Sequence, residues 1–179
     1  MGSETEAYSV WGLPTEEVRN KVKNVMQTLA NEFNGPEFEP HVTLVGAIKL
    51  TPDDALSMFK SACVDLKSYD AQCKGVVTGS FPNQCVLLLL DSIPQVVAAS
   101  DHCCGHFGYE RPSPYMPHMS LLYADLTEDE KKKAQERANA LDDSIGNMSF
   151  TVKRIALYKT DTEDKTLKSW EKVAEYELE

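Results

Sequence analysis

The chain is short of positive charge: Lys and Arg number 18 against 28 Asp and Glu, for a net charge of −10. Long nucleic acid is held by clustered Lys and Arg that displace counterions, so tight non-specific binding to it is disfavoured. A small anionic ligand needs only a few local donors and stays open. Long apolar runs are missing too. The longest, VLLLL at 86–90, falls far short of the ~20 residues that span a bilayer, and no membrane partner is expected. The N-terminal MGSETEAYSVWGL has no basic segment followed by an apolar one, so no secretory signal is expected. Gly2 invites myristoylation, but Glu6 stands where that motif needs a hydroxyl.

Cysteine is sparse and unpatterned. Cys63, Cys73, Cys85, Cys103 and Cys104 give neither a CxxC pair nor an even framework, which points to a reducing, cytoplasmic location. Metal motifs are equally thin. His102 and His106 stand four apart on a helical pattern, but no HExxH and no third ligand accompany them, so no metal or other cofactor is expected. A G-x-S-x-G nucleophile elbow is also missing.

What is present is an ordinary globular composition, 42% apolar over 179 residues, enough for one domain spanning 1–179. A short strand at 7–13 ends before Pro14. Val18, Val22, Val25, Met26, Leu29 and Phe33 then recur at helical spacing, up to the stop Asn34-Gly35-Pro36. HVTLVGAI (41–48) alternates as a strand. Thr51-Pro52-Asp53-Asp54 opens a helix to about Leu66, with Thr51 as N-cap and Asp54 closing a capping box. Strands are predicted within 69–78 and at 84–90, and a helix from the Ser92–Gln95 start through Phe107. A proline-rich loop (108–117) leads into the strand HMSLLYA, and a Thr127–Glu130 capping box starts a helix to about Leu141. Strands at 148–158 and 168–178 close the chain.

Two stretches of this pattern are alike, each a helix leading through a proline-bearing loop into a strand. They predict an α+β fold of two pseudo-symmetric lobes. Each lobe is expected to be a small, mostly antiparallel sheet with helices on its outer face.

The echo is sharpest in two pentapeptides, PHVTL at 40–44 and PHMSL at 117–121. In a strand, residues i and i+2 share a face. His41 and Thr43 therefore point one way, as do His118 and Ser120, while Val42, Leu44, Met119 and Leu121 face the core. Two imidazoles across a cleft can take a proton from water and give one to a leaving oxygen. Two hydroxyls beside them can hold the oxygens of a phosphate as charge builds. A cyclic phosphodiester suits that pair.

The two H-x-[ST] motifs with apolar flanks resemble the two-histidine phosphoesterase superfamily. YSVWGLP, GPEFEPHVT, PYMPHMSLLYADLTEDEKK and KTDTEDKTLKSWEKV extend the likeness to plant cyclic phosphodiesterases along nearly the whole chain. The resemblance implies an active-site cleft between the lobes and metal-independent hydrolysis of ADP-ribose 1″,2″-cyclic phosphate, a by-product of tRNA splicing, to ADP-ribose 1″-phosphate. It also implies hydrolysis of nucleoside 2′,3′-cyclic phosphates to 2′-phosphates. His41 and His118 take the acid and base positions, with His118 favoured as base towards water and His41 as acid. Thr43, Ser120 and Tyr123 take the phosphate contacts, and Trp11 and Phe81 are candidates for stacking on a base. Arg111 could reach an anionic ligand. The expected partner is a small cyclic-phosphate nucleotide bound by a monomer. The alternative is a module on the same fold that binds nucleotides or RNA ends without turnover.

Overall fold

A computed structural model describes residues 4–79, 84–112, 114–164 and 166–178. In chain order the elements are β1 (Glu6–Leu13), α1 (Glu16–Phe33), β2 (Val42–Leu50), α2 (Pro52–Val64), β3 (Tyr69–Thr78) and β4 (Gln84–Leu90). They continue with α3 (Pro94–Phe107), β5 (His118–Tyr123), α4 (Glu128–Leu141), a 3-10 turn (Ile145–Asn147), β6 (Ser149–Val152), β7 (Arg154–Lys159) and β8 (Glu171–Glu177).

Local chemistry explains the helix ends. α1 buries Val18, Val22, Val25, Met26 and Leu29 along one stripe and stops at Asn34. Asn34 takes the left-handed conformation (φ 58°) and returns its N–H to Ala30 O, as an Asn after a helix can. Thr51 caps α2 through its hydroxyl, which accepts from Asp54 N at 3.2 Å. α4 has the full reciprocal box, with Glu130 N donating to Thr127 Oγ1 and Thr127 N to Glu130 Oε1. α3 starts one residue later than the Ser92 signal, with Ile93 at the cap and Pro94 in the first turn.

The strands form one antiparallel order, β6-β3-β4-β5-β2-β1-β7-β8. It divides naturally into two quartets, β6-β3-β4-β5 and β2-β1-β7-β8, joined where Val42 of β2 pairs with Met119 of β5. The helices cross over. α1 leads into β2 yet packs on β5, and α3 leads into β5 yet packs on β2. α4 joins α1 over β3 and β4, while α2 joins α3 over β7 and β1. The mixed α+β class and the paired halves match the sequence expectation.

One predicted strand, 148–158, is two. Phe150 and Val152 are the buried residues of β6, whereas β7 buries Ile155, Ala156 and Leu157 in a row, and the exposed Lys153 separates the two. β6 pairs with β3 at one end of the sheet and β7 pairs with β1 in the other half. The break at Lys153 is where the chain crosses between halves. The last strand starts at Glu171, which leaves Trp170 in the preceding loop.

Candidate active site

β2 and β5 place the two pentapeptides side by side. Their antiparallel register sets Val42 opposite Met119. Extended by one residue each way, it sets His41 opposite Ser120 and Thr43 opposite His118, and residues directly opposite share a face. Val42 and Met119 point to the other face, 1% and 0% exposed. The four polar side chains thus take the corners of a square, with imidazoles on one diagonal and hydroxyls on the other. Diagonal positions on such a pair lie about 7–8 Å apart, which leaves room for a phosphate between the rings.

Each imidazole is oriented by the carbonyl two residues before it. His41 Nδ1 donates to Glu39 O at 2.7 Å and His118 Nδ1 to Met116 O at 2.8 Å. A carbonyl only accepts, so each Nδ1 holds a proton, and each Nε2 of the neutral ring offers a lone pair. The two rings differ in enclosure. His41 is 5% exposed, and burial brings its pKa down to about 3, with the neighbouring His118 adding to the fall. His118 is half-buried. Burial lowers its pKa too, against the opposing effect of the Met116 carbonyl.

Trp11 makes much of that difference. It pairs with Thr43 across β1 and β2, and its ring stacks on His41 at 3.4 Å with 6° between planes. Tyr158 stacks on it as well, at 3.8 Å and 19°. Trp11 is 2% exposed and both indole faces are occupied. The expected stacking of Trp11 on a base is therefore corrected: it is the wall against which His41 sits. Phe81, the other stacking candidate, lies outside the described residues.

Tyr123 needs a structural device to reach the site. It lies three residues beyond Ser120, which strict alternation would put on the opposite face. In the β4–β5 register Leu87 pairs with Ser120 but Val86 pairs with Leu122, so Leu121 is an extra residue. Such a bulge resets the phase: Leu121 and Leu122 are both buried, and Tyr123 returns to the side of Ser120. There its ring lies 4.8 Å from Phe38 and 6.5 Å from Trp170. Burial raises the Tyr123 pKa, opposed by a hydrogen bond with the Ser120 hydroxyl, so the phenol is a donor at neutral pH.

The remaining candidates have structural partners. Arg111 Nη2 donates to Asp101 Oδ1 at 2.7 Å and to Ser100 Oγ at 2.8 Å, and its guanidinium lies over the Tyr115 ring. His102 Nε2 donates to Ala62 O at 2.9 Å. No group of three or more His, Cys, Asp or Glu that could hold a metal ion occurs among the described residues. All five cysteines are buried and free, and burial pushes the Cys63, Cys73 and Cys103 thiols up to about 12. No helix among the described residues is long and apolar enough to cross a membrane.

Two residues that shape the site carried a signal that the pentapeptides cut off. Phe38 and Tyr115 each precede a motif histidine by three, so the echo is FEPHVTL against YMPHMSL. Phe38 sits edge-on to His41 and against Tyr123. The Tyr115 hydroxyl donates to Thr43 O at 3.0 Å. Tyr158 and Trp170 carried no such mark.

Comparison with known proteins bears on the same residues. A family model described as 2'-5' RNA ligase superfamily matches residues 14–164, which contain both histidine motifs. The chain belongs to that superfamily. Within it, the chain is 54% identical to the Arabidopsis thaliana protein named cyclic phosphodiesterase, over 94% of this chain and 93% of that one. Solved structures share the fold at much lower identity. E. coli LigT complexed with 3'-AMP aligns with a TM-score of 0.66 at 10% identity, covering 98% of this chain and 99% of LigT. A Thermus thermophilus protein aligns at 0.63 and 13%, covering 96% of this chain and 97% of that one. The superfamily resemblance seen in the sequence is therefore correct.

Proposed function

We propose that the protein opens ADP-ribose 1″,2″-cyclic phosphate to ADP-ribose 1″-phosphate, and nucleoside 2′,3′-cyclic phosphates to 2′-phosphates, by acid–base catalysis between two histidines. The broader class, hydrolysis of a cyclic phosphodiester by an enzyme, rests on the relationship to the named relative along nearly both chains. The observation that carries the reading is the square of His41, Thr43, His118 and Ser120, set by the Val42–Met119 pair.

In the reaction one Nε2 takes a proton from water, the water oxygen bonds to phosphorus, and the P–O bond to the ribose oxygen breaks. That oxygen leaves with a proton from the other Nε2. Thr43, Ser120 and the Tyr123 phenol donate to the non-bridging oxygens, where hydrogen bonds strengthen as charge accumulates. Burial disfavours the charged form of both rings, and an anionic phosphate between them favours protonation of one. His118, the more exposed ring, accepts that proton more readily than His41. The reading therefore makes His118 the acid and His41 the base, the reverse of the sequence-based preference. Activity should fall at low pH as the base is protonated and at high pH as the acid is lost.

The test is incubation with each cyclic phosphate and identification of the product by phosphorus NMR. The 2′-phosphate and the 1″-phosphate are expected, with full activity in EDTA. Release of 3′-phosphates, loss of activity in EDTA, or binding without turnover would contradict the reading.

A further inference from the structure

β2 carries the same one-residue bulge as β5. Trp11 pairs with Thr43 but Val10 with Val45, so Leu44 is extra, as Leu121 is. Gly46 then holds the place of Tyr123, three residues past the motif hydroxyl. A bulge leaves its extra residue outside the ladder, and a buried carbonyl there needs another donor. In β2 the donors come from α3 and from the loop that leads into His118. Ser100, fully buried, donates from Oγ to Leu44 O at 2.7 Å, and the Tyr115 hydroxyl donates to Thr43 O at 3.0 Å. Burial raises the Tyr115 pKa, so its phenol keeps that proton at neutral pH. A helical serine commonly bonds a carbonyl of its own helix or faces water, whereas Ser100 reaches another element. Arg111 Nη2 donates to the same hydroxyl at 2.8 Å. A guanidinium only donates, so the Ser100 proton is left for Leu44 O. The β5 bulge is supported differently. Gly35, in the loop that leads into His41, lies against it, and a Cβ there would stand 2.6 Å from Tyr123 O. Each approach loop thus braces the other motif, by hydrogen bonds in one half and by packing in the other.

We propose that Ser100 is a positioning residue for the reaction: it holds the β2 bulge and so aims the Thr43 hydroxyl at the phosphate. This rests on the cyclic-phosphate reading above and adds what fixes one of its donors. Thr43 branches at Cβ and its first torsion is restricted, so the backbone at Thr43 and Leu44 sets where its oxygen lies. A donor to transition-state charge must stand about 2.7–3.1 Å from it, and misplacement by about 1 Å can cost about a hundredfold in rate. The same hub ties the two motifs together. Ser100, Arg111 and Tyr115 all precede His118 in the chain, and they hold the backbone of the residue that stands opposite it.

The experiment is a double-mutant cycle of Ser100→Ala and Thr43→Ala, reading kcat and KM for a nucleoside 2′,3′-cyclic phosphate and amide hydrogen exchange over residues 43–46. Ser100→Ala should lower kcat about tenfold with KM changed by less than about twofold. Exchange over 43–46 should quicken while that of α1 holds. Combined with Thr43→Ala, the change should cost nothing further, because a brace has no effect once the group it aims is gone. A merely structural loss would appear in both backgrounds. Tyr115→Phe, which removes the bond to Thr43 O, should repeat the pattern at smaller size and serves if Ser100→Ala misfolds. A loss that persists beside Thr43→Ala, full rate in both Ser100→Ala and Tyr115→Phe, or unchanged exchange over 43–46 would overturn the proposal. Faster exchange in variants of a protein that turns over no cyclic phosphate would support the brace and count against the reaction alone.

Discussion

The two halves of the site share a plan and differ in what surrounds it. FEPHVTL and YMPHMSL agree in an aromatic, a carbonyl that fixes the histidine, a proline, the histidine, a hydroxyl and a bulged leucine. Their neighbours do not agree. Thr43 pairs with Trp11, while Ser120 pairs with Leu87. Tyr123 stands in one half where Gly46 stands in the other. Arg19 clamps the carboxylate of Glu39 with two 2.9 Å bonds, whereas the equivalent Met116 is 44% exposed. In the proposed reaction a symmetric frame would bring two imidazoles to one phosphate, and these asymmetries would let one remain a base while the other holds a proton.

The largest effects should come from the histidines. His41→Ala and His118→Ala should each lower kcat for a nucleoside 2′,3′-cyclic phosphate by about 10²–10⁴ with the thermal transition little changed. Either variant retaining full rate would remove its ring from the chemistry. The hydroxyls should follow. Thr43→Ala and Ser120→Ala should each cost about a hundredfold in kcat, the scale of losing one donor to transition-state charge. If the halves are equivalent towards the phosphate the two losses should match, and a tenfold disparity would break that equivalence.

The smallest effect should come from the clamp. Arg19→Ala frees the Glu39 carboxylate and loosens the carbonyl that holds His41, so kcat should fall a few-fold while KM is steady, with Arg19→Lys partly restoring it. The half-buried ion pair is worth only about 0–1 kcal/mol to stability. A kcat loss accompanied by a lowered Tm of many degrees would instead make Arg19 a structural residue.

Much of this is legible in the sequence. The apolar repeats of α1 and the Thr51 and Thr127 caps are local, and each appears where its residues predict. The crossed helices were not legible, because packing α1 on β5 depends on which strands pair and not on its own stripe. Tyr123 was placed by resemblance: the bulge that returns it to the side of Ser120 follows from the strand register, and its local trace is the adjacent apolar pair Leu121 and Leu122. Trp11 was named for the wrong contact: an aromatic beside a cleft reads the same whether it meets a base or an imidazole. The single strand expected over 148–158 is two, because the break at Lys153 depends on β6 pairing with β3 and β7 with β1, which no local pattern records.

The division of labour is tested most directly by changing the leaving atom. A 2′,3′-cyclic nucleotide with sulfur in place of the 3′-oxygen leaves without needing a proton, so an enzyme lacking its acid should recover on that substrate. His118→Ala should regain about a hundredfold or more relative to the oxygen substrate, whereas His41→Ala should not. Recovery by His41→Ala alone, or equal impairment of both variants on both substrates, would contradict that division.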